Sequence, residues 1–280
     1  MTTRLLRPED LPDFRSPPLV ETVLSLQFQP LQGFRSVHVG LLWHQFRDMF
    51  PLTEEHHPLH VPREAFGVPL PGQLEVMIEE KPALPRVCFL NQSETELIQI
   101  QTDRFIHNWR KAGNVPAPYP RYEGDRAKFR DEVSRFEQFL GNENLGQVVV
   151  NQCEVTYVNH IEPCSVWRRL GQIEGVLRTW TAQGRSFLPE SEGGRIEQRF
   201  VIRSDSGAPL GRLHTSLASA RKAEGQSPIL VLTLTARGAP MGHGIDGAFA
   251  FLDSGREWIV KGFAELTTTD MHRVWGRIDA

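Results

Sequence analysis

Two stretches of this chain set out their elements in the same order. Residues 19–141 read as strand, helix, three strands, helix, and residues 147–267 read the same way. A chain that repeats such an order is restricted to few folds. The expected one is α+β: tandem, pseudo-duplicated β-α-β-β-β-α units, each an antiparallel sheet with helices packed on one face. Residues 1–18 form an irregular leading segment broken by Pro8, Pro12, Pro17 and Pro18. Residues 19–141 are the first unit, and 142–280 are the second with a C-terminal tail. Joining two such units edge to edge about a pseudo-twofold hides one vulnerable sheet edge on each. It leaves the opposite face as a broad saddle.

The first unit opens with Leu19–Phe28, where Val20, Thr22, Leu24, Leu26 and Phe28 share a face by alternation and Pro30 stops the strand. Ser36 is placed to cap a helix reaching about Met49, with Val39, Leu42, Trp43 and Phe46 as its apolar stripe. Residues 51–72 read as a long Pro- and His-rich loop. Strands follow at Leu74–Glu80, Arg86–Asn91 and Glu96–Arg110, the last two forming a hairpin over Gln92-Ser93-Glu94. After the Pro-rich loop Asn114–Tyr122, Asp125 caps a helix that buries Phe129, Val133, Phe136, Phe139 and Leu140 and ends at Gly141. In the second unit, Leu145–His160 is a strand and Pro163 enters a helix running to Trp180. Arg195–Arg203, Gly211–Ala220 and Ile229–Arg237 are strands. Asp246 then caps a long helix through Leu266.

Charge and composition bound the function. The formal net charge is −3, which gives no global attraction to nucleic acid or an anionic membrane. No apolar run approaches the roughly 20 residues that cross a bilayer, and the N-terminal stretch meets Pro and acid before any apolar signal core forms. Cys88, Cys153 and Cys164 make no C-x-x-C pair, which suits a reducing cytoplasm. Cytoplasmic residence, without a membrane partner, is the expectation.

Pro18-Leu19-Val20-Glu21-Thr22-Val23 opens the first strand. Gln99–Arg110 reads QTDRFIHNWR over its last ten residues and is followed by Tyr119-Pro120-Arg121-Tyr122-Glu123. Glu265–Arg277 reads ELTTTDMHRVWGR. On these motifs the whole chain resembles a sporadically distributed family of uncharacterised bacterial proteins of about this length. The resemblance implies a bacterial cytoplasmic protein and brings no reaction, cofactor or catalytic residue. Patchy distribution is associated with accessory modules such as antiphage defence or toxin–antitoxin systems.

The local motifs offer little chemistry. His56, His57 and His60 have imidazoles suited to zinc, but Pro58 interrupts the run and no second Cys/His cluster completes a ligand set, so a solvated loop is expected. The glycine-rich stretch Gly238–Gly247 lacks the Lys of a phosphate loop and reads as a strand-to-helix connection. No Gly-x-Ser-x-Gly is present, and the acid pairs Glu54–Glu55 and Glu79–Glu80 diverge on a strand. No catalytic residue, metal or cofactor is assigned. The richest polar stretch joins cations to rings: Arg104, His107, Trp109, Arg110, Arg121 and Tyr122 are the candidate binding residues, for protein or nucleic acid. The chain thus reads as a non-enzymatic binding protein with a partner encoded nearby. A nucleic-acid-binding or -processing protein is the alternative, and a homodimer is compatible with either.

Overall fold

The computed structural model describes residues 8, 10–67, 84–112, 119–181, 186–223 and 225–278. In chain order the elements are β1 (Asp13–Phe14), β2 (Leu19–Phe28), α1 (Ser36–Phe46), β3 (Leu52–His56), β4 (Arg86–Leu90), β5 (Glu96–Gln101), β6 (Arg104–Arg110) and α2 (Arg121–Asn142). They continue as β7 (Val150–Ile161), β8 (Arg195–Arg203), β9 (Pro209–Arg221), β10 (Pro228–Gly238), α3 (Gly244–Leu266), α4 (Thr269–Val274) and β11 (Arg277–Ile278). The fold is α+β, as the patterning predicts.

Among the described residues, nine strands form one antiparallel sheet in the order β3-β4-β5-β6-β2-β7-β10-β9-β8. The two halves meet edge to edge through β2 and β7. Moving outward from that pair, one half runs β2-β6-β5-β4-β3 and the other β7-β10-β9-β8. The first four positions correspond in order, and β3 has no counterpart among the described residues, so the expected duplication is not established. The helices do not follow that order, because among the described residues no helix of the second half corresponds to α1.

The helix expected from Pro163 to Trp180 is instead a string of turns around a single 3-10 turn, Ile173–Gly175. Trp167, Ile173, Val176 and Leu177 are buried as their spacing requires. Gly171 and Gly175 disfavour a helix, and they permit close backbone approaches. A Cβ on Gly171 would lie 1.7 Å from the Ser191 carbonyl oxygen, and one on Gly175 would lie 2.9 Å from that of Val166. The chain folds back on itself here and pairs Leu177 with Thr267.

Other boundaries shift for local reasons. The stretch expected as one strand, Glu96–Arg110, turns at Thr102-Asp103 into β5 and β6. The leading segment is not wholly irregular: β1 pairs with β11, and Phe14 packs edge-on against Phe263 at 5.5 Å and Trp275 at 6.1 Å. The loop after α1 contains the edge strand β3. α2 starts four residues before Asp125, which is inside the helix and buried rather than at its cap. α3 starts at Gly244, two residues before Asp246. The strand expected at Leu74–Glu80 lies outside the described residues.

All three long helices lie on one face of the sheet. α2 places Phe129, Val133, Phe136 and Leu140 at helical spacing over β2 and β6, with Phe136 stacked on Phe105 at 4.8 Å and close to Phe28 at 5.9 Å. α3 lies over β7 and β10. Its Phe251 sits over a cross-strand glycine pair, Gly211 and Gly238, where a Cβ would come within 3.0 and 2.4 Å of the ring. Only glycine leaves room for that ring. α1 buries Leu42 and Phe46, the latter facing Phe89 at 6.4 Å. Among the described residues none of the three long helices covers the opposite face, which carries polar side chains over its central strands and a small buried apolar cluster, Cys88, Leu90 and Leu97, toward the β3 edge.

Candidate functional site: two cavities back to back on the central strands

The six candidate residues divide between the two sheet faces, because side chains alternate along β6. Phe105, His107 and Trp109 turn toward the helices. Arg104, Asn108 and Arg110 turn toward the open face. His107 is buried, with its Nδ1 2.9 Å from a carboxylate oxygen of Glu132 on α2. Burial opposes its protonation, but the Glu132 carboxylate, supported by Asp125 and Glu96, outweighs that and holds its pKa above the ordinary value. Trp109 is buried against Tyr119, 5.1 Å between ring centres. The Tyr122 hydroxyl donates to Asp253 Oδ1 at 2.7 Å. Arg104 is 4% exposed, pairs with Asp103 at 3.5 Å and donates from Nη2 to the Val61 carbonyl at 3.2 Å. Only Arg110 and Arg121 present substantial side chain to solvent, with ion pairs to Glu94 at 3.7 Å and Asp13 at 2.9 Å. The six therefore do not form one surface.

They do lead to two cavities. β2 and β7 are central, and their alternation places one cavity on each face. Val20, Val158 and His160 line an open groove, while Leu19, Tyr157 and Asn159 line a smaller cavity on the helix side. A register shift between Leu19 and Glu21 separates Val20 from the apolar face that strict alternation assigns it.

The groove holds about 770 Å³. Val20, Val158, Met271, Val274 and Trp275 give it apolar wall. Arg110, Lys111 and Lys222 line it against the carboxylates Glu21 and Glu162, with His160 among them. Lys222 is paired with Glu162, and Glu21 accepts from Asn108 Nδ2 at 2.7 Å. Burial and then the nearby Lys222 depress the pKa of His160, with Lys111 adding to the effect against Glu162. The groove thus has apolar wall and a rim of mixed charge, in which Arg110, Lys111 and Lys222 stand beside Glu21 and Glu162.

The helix-side cavity holds about 70 Å³ and is bounded by β2, β7, α2, α3 and the N-terminal segment. Arg121 and Tyr122 line it, together with Tyr119, Tyr157 and Arg256. The Tyr119 and Tyr157 hydroxyls are 3.0 Å apart. Burial raises the pKa of all three tyrosines, that of Tyr157 to about 12, so they stay protonated. Arg256 is buried, donates from Nη2 to Glu123 Oε1 at 3.1 Å, and has an Nε–H without a hydrogen-bond partner among the described residues.

A third feature crosses the open face. Residues 57–66, part of the stretch 51–72 expected as a long loop, run over the sheet as a strap. Leu59 N–H donates to Gln101 Oε1 at 2.6 Å and Glu64 N–H to Gln152 Oε1 at 2.8 Å. The Glu64 carboxylate sits among Arg212, His214 (2.6 Å) and Arg237 (3.6 Å), and Arg237 also binds Glu154 at 2.6 Å. His56 pairs with Glu54. Among the described residues no three His, Cys, Asp or Glu side chains are grouped to hold a metal ion. The glycine-rich connection is folded tightly onto α3, with Met241 N–H donating to the Gly247 carbonyl at 2.8 Å.

His160, Lys222, Tyr157, Arg256 and Glu64 were not singled out by motif. The alternation of Gln152, Glu154 and Thr156 with Cys153, Val155 and Tyr157 was the available signal: a strand polar on one side only marks an uncovered face. No protein-family model matches the chain, and no curated protein is detectably similar to it. Among the described residues no helix is long and apolar enough to cross a membrane.

Proposed function

We propose that this is a non-catalytic binding protein that docks a segment of a partner protein in the open groove. The observation that carries the reading is the groove's composition: a trough about 770 Å³ in volume with apolar wall, in which the cations Arg110, Lys111 and Lys222 outnumber the carboxylates Glu21 and Glu162. A peptide segment with apolar side chains and an acidic flank matches that pattern, since complementary charge sets register and apolar anchors set affinity. The groove lies on a sheet face supported by three helices behind it, so little ordering is required on binding. Nucleic acid fits less well. Trp109 and Tyr122, the rings that could have stacked on bases, are buried. The family resemblance favours a bacterial cytoplasmic accessory system, defence or toxin–antitoxin in type, with the partner encoded nearby.

The test is to co-express the chain with the product of the adjacent gene and measure affinity for wild type, Arg110→Ala and Lys222→Glu. Both variants should bind about tenfold or more weakly. Their melting temperatures should stay near wild type, because exposed charges contribute within about 0.5 kcal/mol. Unchanged affinity in both, or loss that tracks unfolding, removes the groove as the docking site.

A further inference from the structure

We infer that the helix-side cavity is a binding site for a small uncharged molecule that carries a hydrogen-bond-accepting oxygen. The cavity is separate from the groove, and the inference stands independently of what docks there.

Size comes first. About 70 Å³ is several times the roughly 10–15 Å³ that one water needs, so the space accommodates an organic group of a few heavy atoms and no macromolecule. Its walls suit such a group. Phe14, Leu19, Leu234, Ile259, Val260 and Phe263 supply apolar surface from four separate elements, β1, β2, β10 and α3. Binding cavities of this kind pair a mainly apolar lining with a few placed polar groups.

Two of the polar groups have donor capacity left over after the hydrogen bonds they already make. Arg256 is 4% exposed, and its Nε–H finds no acceptor among the described residues. A buried donor left in that state is rare in folded proteins and calls for a partner. The Tyr119 and Tyr157 hydroxyls share one hydrogen bond between them. Two O–H groups serve that single contact, so one proton remains to be donated elsewhere. An oxygen acceptor entering the cavity answers both.

Charge decides the class further. Arg256 is neutralised by Glu123 at 3.1 Å, and Arg121 at the solvent side is neutralised by Asp13 at 2.9 Å. An anion entering here would meet the Glu123 carboxylate without an unpaired cation to compensate. A cation would meet Arg256. An amide or ketone carbonyl has the acceptor and avoids both conflicts.

The Arg256 Nε–H resonance of the full chain reports on the site directly. Isobutyramide and cyclopentanone are the probes, and isobutyrate is the charged counterpart. At least one uncharged probe should shift that resonance saturably, and isobutyrate should bind about tenfold more weakly or not at all. Val260→Trp, which fills the cavity from α3, should abolish the shift. A wild-type resonance that never responds saturably to either uncharged probe overturns the site, whatever the variant does. A shift retained in folded Val260→Trp places the probes elsewhere and overturns it equally. Tighter binding of isobutyrate overturns the ligand class. Should Val260→Trp not fold, crystals of the wild-type chain soaked with the responding probe decide: probe density beside Arg256 supports the site, and water alone there refutes it.

Discussion

The Tyr122 hydroxyl donates to Asp253 Oδ1 at 2.7 Å across 131 residues of sequence, tying the first turn of α2 to the middle of α3. Asp253 also receives Arg126 through Nε at 2.6 Å and Nη2 at 2.8 Å. This three-residue clasp fixes the angle between the two helices that cover the halves of the sheet. Tyr122→Phe removes one hydrogen bond while leaving the ring in place. It should destabilise the chain by about 1 kcal/mol in urea unfolding. Combined with Arg126→Ala, the effects should be non-additive, since both partners share one carboxylate. Additive losses would mean that the clasp does not act as a unit.

Asp125 gives the clearest dependence on pH. It is buried under α2, accepts from Thr22 Oγ1 at 2.7 Å, and its second oxygen has no partner among the described residues. Burial pushes its pKa up to about 6, against the opposing effects of His107 and the Thr22 hydrogen bond. A carboxyl whose folded pKa is raised binds its proton more tightly in the folded state. Its neutral form therefore supports folding below the unfolded value near 4, and this support is lost as pH rises through about 6. Asp125→Asn keeps a neutral side chain at every pH. The stability of wild type minus that of the variant should fall by roughly 2–3 kcal/mol between pH 4 and 7. A difference independent of pH, measured by chemical denaturation across that range, would show that Asp125 is not protonated when folded.

Two glycines should respond in opposite senses. At Gly238 a Cβ meets Phe251 at 2.4 Å and the Leu210 carbonyl oxygen at 2.3 Å, so Gly238→Ala forces strand or ring to move, at about 1–3 kcal/mol. Gly141 is in the last turn of α2 with nothing within 4 Å of its Cβ position. Gly141→Ala should be neutral or stabilising by up to about 1 kcal/mol. Equal effects at the two sites, measured by thermal or urea unfolding, would argue against the tight seating of α3 on β9 and β10.

How much of this was legible beforehand follows from the range of the interactions. Strands β8, β9 and β10 fall close to their expected bounds because alternation over nine or more residues is a local signal. The apolar spacing from Val166 to Trp180 was equally visible, but it reported only burial. The backbone path there is set by Gly171 against Ser191 and by the Leu177–Thr267 bridge, contacts that no window of sequence contains. The candidate site suffered the same loss. The alternation along β6 was readable, yet an uncovered face and a covered one look alike when each carries arginine or histidine. His107 was claimed by Glu132, 25 residues away, and Arg104 by a carbonyl 43 residues away. Arg110 and Arg121 kept their exposure because each pairs with a surface carboxylate and each borders a cavity.

The strap over the open face should be held by one side chain. The Glu64 carboxylate is 9% exposed and is shared by Arg212, His214 and Arg237. Its desolvation is outweighed by the hydrogen bonds from His214 and Arg212, which bring its pKa below the ordinary carboxylate value. A depressed folded pKa means that its contribution is present above the unfolded value and is lost as pH falls through the folded one. Above that window Glu64→Ala leaves Arg212 and His214 without their shared acceptor, although Arg237 retains Glu154 at 2.6 Å. Residues 57–66 should then exchange amide hydrogen faster, the Glu64 amide most of all, because its bond to Gln152 at 2.8 Å depends on the strap staying down. Global stability should change less than local protection, since the helix-side core is untouched. Glu64→Gln retains one acceptor oxygen and should fall between the two. Protection over residues 57–66 that is identical in wild type and Glu64→Ala would show that the Gln101, Arg104 and Gln152 contacts hold the strap without the carboxylate.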